Sequence, residues 1–180
     1  MEVSTFLRLP PEMCLELWRH LLPGGPKVEQ AAFLFCRGSK SGRAVYFDVI
    51  EPRYLRPSEF AVQAGDYIEL TDETRIDVIK QAHRLEACLV EIHSHPGPYP
   101  AAFSTSDKIG LHETVPHMQW RLNNRPYVAL VVAPTGYDGL VFFRGPDTPV
   151  ALTGIQFTEN LLTPTNISLE SWNGQRRNAI

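Results

Sequence analysis

A chain of 180 residues with 17 Lys and Arg against 20 Asp and Glu, a formal net charge of −3, is sized for one domain. It has no Lys/Arg run of the kind that phosphate binding requires, so nucleic acid is not an expected partner. Its 43% hydrophobic and 21% charged residues are ordinary for a globular protein, and no stretch approaches the roughly 18 consecutive apolar residues that would span a membrane.

The first predicted element is a helix opened by Pro10-Pro11, where proline is tolerated in the first turn. Cys14, Leu17, Trp18, Leu21 and Leu22 follow at helical spacing, and Pro23-Gly24-Gly25-Pro26 ends the helix. Ala31 to Cys36 reads as a short buried strand, Arg37 to Arg43 as a hairpin loop and Ala44 to Ile50 as the partner strand. Glu51 to Gly65, with two prolines and little periodicity, reads as a long connection, and Tyr67 to Leu70 as another strand. Thr71 is the expected N-cap of a second helix with Asp72 and Glu73 in its first turn, and Ile76, Ile79 and Ala82 are its expected core face.

Ala87 to His93 reads as a strand and Pro96 to Phe103 as a proline-punctuated loop. A helix is expected from Thr105 to Trp120, kinked or broken at Pro116. Tyr127 to Ala133 is the clearest central strand, followed by a turn over Pro134 to Gly139 and a return strand from Leu140 to Phe143. Beyond Gly145 the signals weaken. The order of elements predicts an α/β (α+β) fold with one mixed sheet flanked by helices. Residues 1–145 form the expected domain, and 146–180 a partly irregular C-terminal extension packed on it.

Cys14, Cys36 and Cys88 have no C-x-x-C spacing and lie among apolar neighbours, so they read as small buried hydrophobes. With no leader-like apolar segment after Glu2, the expected location is the cytoplasm.

The residues that carry chemistry are His93 and His95. On a strand, positions i and i+2 share one face, so both imidazoles can reach one ion. A catalytic zinc site takes three protein ligands and keeps a position for water, and Asp107 is the obvious third donor. Ser104-x-x-Asp107 also reads as a helix capping box, and the two roles are compatible, because a capped first turn holds its carboxylate rigidly. Hydrolysis further needs a base. Glu29, just ahead of the strand Ala31 to Cys36, is one candidate among several, and Glu91, two residues before His93 on the same face, is its main rival.

Glu29 before an apolar strand, His93-Ser94-His95-Pro96 and then Ser104-x-x-Asp107 resemble the motif of the JAMM (JAB/MPN, or MPN+) metalloproteases. The likeness runs from about Glu29 to Phe143, and its flavour is that of compact bacterial members encoded with ubiquitin-like conjugation enzymes, some of them in antiphage defence. The resemblance implies a cytidine-deaminase-like JAB/MPN architecture and one catalytic zinc ion held by His93, His95 and Asp107. It also implies Glu29 as general acid/base and Ser104 as donor to the developing oxyanion. The implied substrate is ubiquitin or a ubiquitin-like protein cleaved at its C-terminal tail, with cognate E1- or E2-like enzymes as further partners. Two positions depart from the family pattern: the loop Pro96 to Phe103 is one residue longer than usual, and Glu91 stands where an apolar residue is usual.

Two other functions compete. A member of the same fold can act as a silent binding scaffold. A metal-dependent phosphoesterase also uses H-x-H, yet it gathers more ligands around two or three ions, and His20, His83, His112 and His117 show no pairing for that purpose.

Overall fold

The computed structural model describes residues 3–25 and 27–177, with the side chains of 173–177 outside the description. Pro26, expected in the first helix stop, Glu2 and the last residues of the 146–180 extension also lie outside the described residues. Among the described residues the fold is α+β, with a nine-stranded mixed sheet, a two-stranded ribbon and four helices.

In chain order the elements are β1 (Ser4–Arg8), α1 (Pro11–Leu21), β2 (Ala31–Ser41), β3 (Ala44–Tyr54), β4 (Phe60–Gln63) and β5 (Ile68–Leu70). Next come α2 (Asp72–Arg84), β6 (Cys88–Ser94), α3 (Thr105–Arg121), β7 (Tyr127–Ala133) and β8 (Gly136–Phe142). The chain closes with β9 (Val150–Ala151), β10 (Gly154–Phe157), β11 (Asn160–Leu162) and α4 (Ile167–Arg177). The large sheet runs β11-β10-β1-β3-β2-β6-β7-β8-β9, and β4 pairs with β5 separately.

The central strands are covered on both faces, which explains their nearly unbroken apolar runs. On one face Phe33, Phe35, Leu89, Tyr127, Ala129 and Val131 pack with α2, α3 and α4. On the other, Leu34, Cys36, Val90, Val128 and Leu130 pack against Leu17 and Leu21 of α1. Cys14, Cys36 and Cys88 are all buried and free.

Several expected boundaries move. The expected loop Arg37 to Arg43 is mostly strand: β2 and β3 pair out to Ser41 and Ala44, leaving a turn at Gly42, whose φ of 57° suits glycine. This distal ribbon is exposed on the β2 side, so backbone pairing holds it where burial gives no sequence signal. The expected long connection Glu51 to Gly65 contains the end of β3, a 3-10 turn at Pro57–Glu59 and β4. Pro52 is tolerated because the pairing of β1 with β3 stops at Asp48, leaving that stretch of β3 an edge.

In α2 the buried residues are Thr74, Val78 and Ala82, whereas Ile76 is 50% exposed and Ile79 only partly buried. Thr74 can sit inside because its hydroxyl lies 2.9 Å from that of the N-cap Thr71. Helix α3 continues through Pro116 without a break; Pro116 faces solvent, where water can serve the carbonyl it leaves unpaired. Strand β8 begins at Gly136, so the expected turn shrinks to Pro134-Thr135. β1, not anticipated from the sequence, lies parallel between β3 and β10.

Candidate metal centre

The centre is assembled at the end of β6. There β6 is antiparallel to β2, with His93 opposite Ala31, and parallel to β7, with His93 beside Val131. Ser94 is fully buried and points away from the two imidazoles. Its hydroxyl accepts from the Gln30 backbone N–H at 2.9 Å, and its own N–H donates to the Gln30 carbonyl at 2.9 Å. The His95 N–H donates to the Val132 carbonyl at 2.8 Å. The strand end is therefore clamped from both sides, and the Nε2 atoms of His93 and His95 converge to 3.1 Å.

Asp107 comes from the first turn of α3, where the capping box is complete. The Asp107 N–H donates to Ser104 Oγ at 3.1 Å, and the Ser104 N–H donates to Asp107 Oδ2 at 2.7 Å. The same Oδ2 lies 3.2 Å from His95 Nε2 and 3.5 Å from His93 Nε2. Tetrahedral zinc with bonds of about 2.0–2.1 Å sets its donors about 3.3–3.4 Å apart. The three observed separations bracket that spacing, and the donor set of two imidazoles and a carboxylate suits zinc, so these residues fit the ion. Among the described residues they form the one group of His, Cys, Asp or Glu close enough to hold a metal.

Electrostatics reinforce this focus. Burial pushes the Asp107 carboxyl up, but His93, His95 and Ser104 prevail and hold it well below the carboxylate range. Burial pushes the His93 imidazole down, while Asp107, Glu29 and Glu91 more than offset this and raise it.

The structure brings Glu29 to the same point. Its N–H donates to the Ala64 carbonyl at 2.7 Å and its own carbonyl accepts from Gln63 Nε2 at 2.9 Å, so the β4–β5 ribbon pins the backbone. Its carboxylate is 3.6 Å from His95 Nε2, and the residue is 3% exposed. Burial raises its pKa from 4.5, against the opposing pull of His93 and His95. Ser104 is exposed at the helix start, its hydroxyl 2.9 Å from that of Ser106. Glu91 does not join the cluster by direct bonding: its carboxylate accepts from the Tyr127 hydroxyl.

Sequence reasoning missed the supports. Gln63 lies in a segment read as irregular, and Phe103, whose ring centroid is 5.8 Å from that of His93, lies in a segment read as loop. Ser168 and Ser171 lie where local signals fade, and no local pattern marks either as a partner of the site.

Fold and site together define an α+β domain carrying a candidate two-histidine, one-aspartate metal centre with a buried glutamate beside it. No protein-family model matches the chain, and no curated protein matches it in sequence.

Proposed function

We propose that the chain is a JAMM-type zinc metallo-isopeptidase that cleaves ubiquitin or a ubiquitin-like protein at its C-terminal tail. The biological setting we propose is deconjugation or precursor processing in a bacterial ubiquitin-like conjugation or antiphage system, alongside E1- or E2-like enzymes. The observation that carries this reading is the convergence of three separate segments. Glu29 ahead of β2, His93 and His95 at the end of β6, and Asp107 at the start of α3 bring four side chains within 3.6 Å links of one another.

His93, His95 and Asp107 would hold the ion. Zinc, when bound, supplies Lewis acidity and a water whose pKa falls to about 7. Glu29, desolvated and held by its backbone, takes a proton from the attacking water and returns it to the leaving amine. The Ser104 hydroxyl, free of the core at the helix start, is available to donate to the oxyanion that develops on the scissile carbonyl. Among the described residues strand β5 pairs with β4 alone, which leaves it one unpaired edge, and its residues Ile68, Glu69 and Leu70 line the cleft beside the centre. Such an edge suits an extended tail bound through its main chain.

A single three-donor group among the described residues favours this chemistry over a phosphoesterase with two or three ions. The test is a panel of ubiquitin-like C-terminal fusions and isopeptide conjugates, assayed with and without chelator. Cleavage that needs the metal, with Glu29→Ala keeping zinc and losing cleavage, is the expected outcome. Normal cleavage by Glu29→Ala together with a dead Glu91→Ala would reassign the base to Glu91. Zinc-free protein from a chelator-free purification would sink the catalytic reading.

A further inference from the structure

The cleft that starts at the metal centre encloses about 580 Å³ between β2, β5, α2, α3 and β6. Much of its wall is apolar, with Phe33, Leu70, Ile79, Leu111 and Met118 contributed from those different elements. Among its lining residues, two before His93 and on the same strand face, is the partly buried Glu91.

A carboxylate in apolar surroundings is costly unless it is paired. Among the described residues, the protein donor to Glu91 is the Tyr127 hydroxyl alone. One donor fills one of about four acceptor positions on a carboxylate, and it fixes the group's orientation without neutralising its charge. The other charges of the cleft are already engaged or sit elsewhere. Asp107 faces His93 and His95, Arg75 is 3.7 Å from Glu69, and His117 accepts from Arg121 at 2.8 Å. Glu113 stands exposed on α3 and adds further negative charge. The cleft thus offers a largely apolar passage beside a carboxyl group whose one protein hydrogen-bond donor among the described residues is the Tyr127 hydroxyl, with the His93 imidazole as its charged neighbour on the same strand face.

We infer that this cleft is a side-chain subsite whose occupant has an apolar stem and a cationic head, a lysine or arginine within the few residues flanking the scissile bond, with Glu91 as the residue that selects it. The inference rests on the peptide-hydrolysis reading for its place in a reaction. The stem lies along the apolar wall, and the head pairs with the Glu91 carboxylate that Tyr127 orients. An uncharged side chain of equal length gains the wall contacts but leaves the carboxylate unpaired. Sites built around a buried polar partner discriminate strongly in that situation.

The test uses the zinc-loaded chain and fluorescent peptides that differ only in lysine or norleucine, the position being moved along either side of the scissile bond. At one position the lysine peptide is expected to be favoured by about tenfold or more, chiefly in KM, with the preference falling to about twofold or less in Glu91→Gln. Equal handling of the two peptides by the wild-type chain, or a preference that survives Glu91→Gln, overturns the inference. Should Glu91→Gln fail to fold, Glu91→Asp keeps the charge but withdraws it, and the preference is expected to weaken. Fluorescence anisotropy on the same peptides separates this idea from the reaction. If no peptide is cleaved, a lysine preference in binding that Glu91→Gln removes still supports the subsite and equal binding still overturns it, while the hydrolytic reading stands or falls on the ubiquitin-like panel.

Discussion

The two halves of the candidate metal centre are held in different ways. His93 and His95 ride on an internal strand whose end is hydrogen-bonded to Gln30 on one side and Val132 on the other. Asp107 and Ser104 stand at a helix start that follows a loop, and the support there comes from the far end of the chain. Thr165 Oγ1 donates to the Ala101 carbonyl at 2.6 Å, the Phe103 N–H donates to Ser168 Oγ at 2.8 Å, and Lys108 Nζ donates to Ser171 Oγ at 2.6 Å. The start of α4 is tied down in turn, because the buried Asp138 carboxylate accepts from the N–H groups of Asn166 and Ser168. One half is fixed by strand pairing, the other by a latch of side-chain contacts that closes more than sixty residues downstream.

The largest effect comes from breaking the strand half directly. His95→Ala removes one of the three donors, so zinc binding is expected to be lost while the fold is retained, read by metal analysis and circular dichroism. A folded His95→Ala that keeps stoichiometric zinc would remove His95 from the ligand set.

The latch gives the next largest effect. Ser168→Ala leaves the buried Phe103 N–H without its acceptor, a loss of about 1–3 kcal/mol, and frees a ring that packs against His93. Supports of this kind commonly change metal affinity by about 10–100-fold, and a weakening in that range is expected in a chelator competition. Ser168→Thr, which keeps the hydroxyl, should restore most of it. Unchanged affinity in Ser168→Ala would mean that the helix half needs no latch.

A smaller effect tests the ribbon that pins Glu29. Glu59 precedes β4 and pairs with Arg53 at 2.7 Å and with the Arg56 N–H at 2.9 Å. Burial pushes its pKa up, but these partners win and lower it from 4.5. A depressed folded-state pKa stabilises the fold above the unfolded value, and that contribution is lost as pH falls through the folded one. Glu59→Gln is therefore expected to cost about 1–3 kcal/mol near neutral pH. The gap to wild type, followed by thermal unfolding, should narrow as the pH drops below about 4.5. A gap that widens in acid would contradict the assigned direction.

The same contrast explains what the sequence could reveal. The H-x-H spacing and the capping box are local patterns, so the three donors that the structure brings together, His93, His95 and Asp107, are legible from their own neighbourhoods. Glu29 is legible only as one of several candidates, because a carboxylate ahead of a strand has no local signature; the structure sets it 3.6 Å from His95. The mixed sheet flanked by helices followed from the apolar runs of β2, β6 and β7. The distal β2–β3 ribbon, β1 and the strands beyond Gly145 did not. They are short, or exposed on one side, and are held by backbone partners distant in sequence.

Helix α2 supplies the smallest expected effect and the plainest misreading. Ile76 shares a helical stripe with Ile79, so periodicity assigned it to the core. The burial of Thr74, Val78 and Ala82 instead rotates that stripe towards solvent and leaves Ile76 half exposed. The rotation follows from the N-cap, where the paired hydroxyls of Thr71 and Thr74 let a polar residue enter the interior. Ile76→Ala removes little buried surface and is expected to change stability by no more than about 0.5 kcal/mol. Val78→Ala, at a fully buried position, should cost about 1–3 kcal/mol in the same denaturant titration. Equal losses at the two positions would mean that Ile76 is covered in solution, and that the outer face of α2 belongs to a contact rather than to solvent.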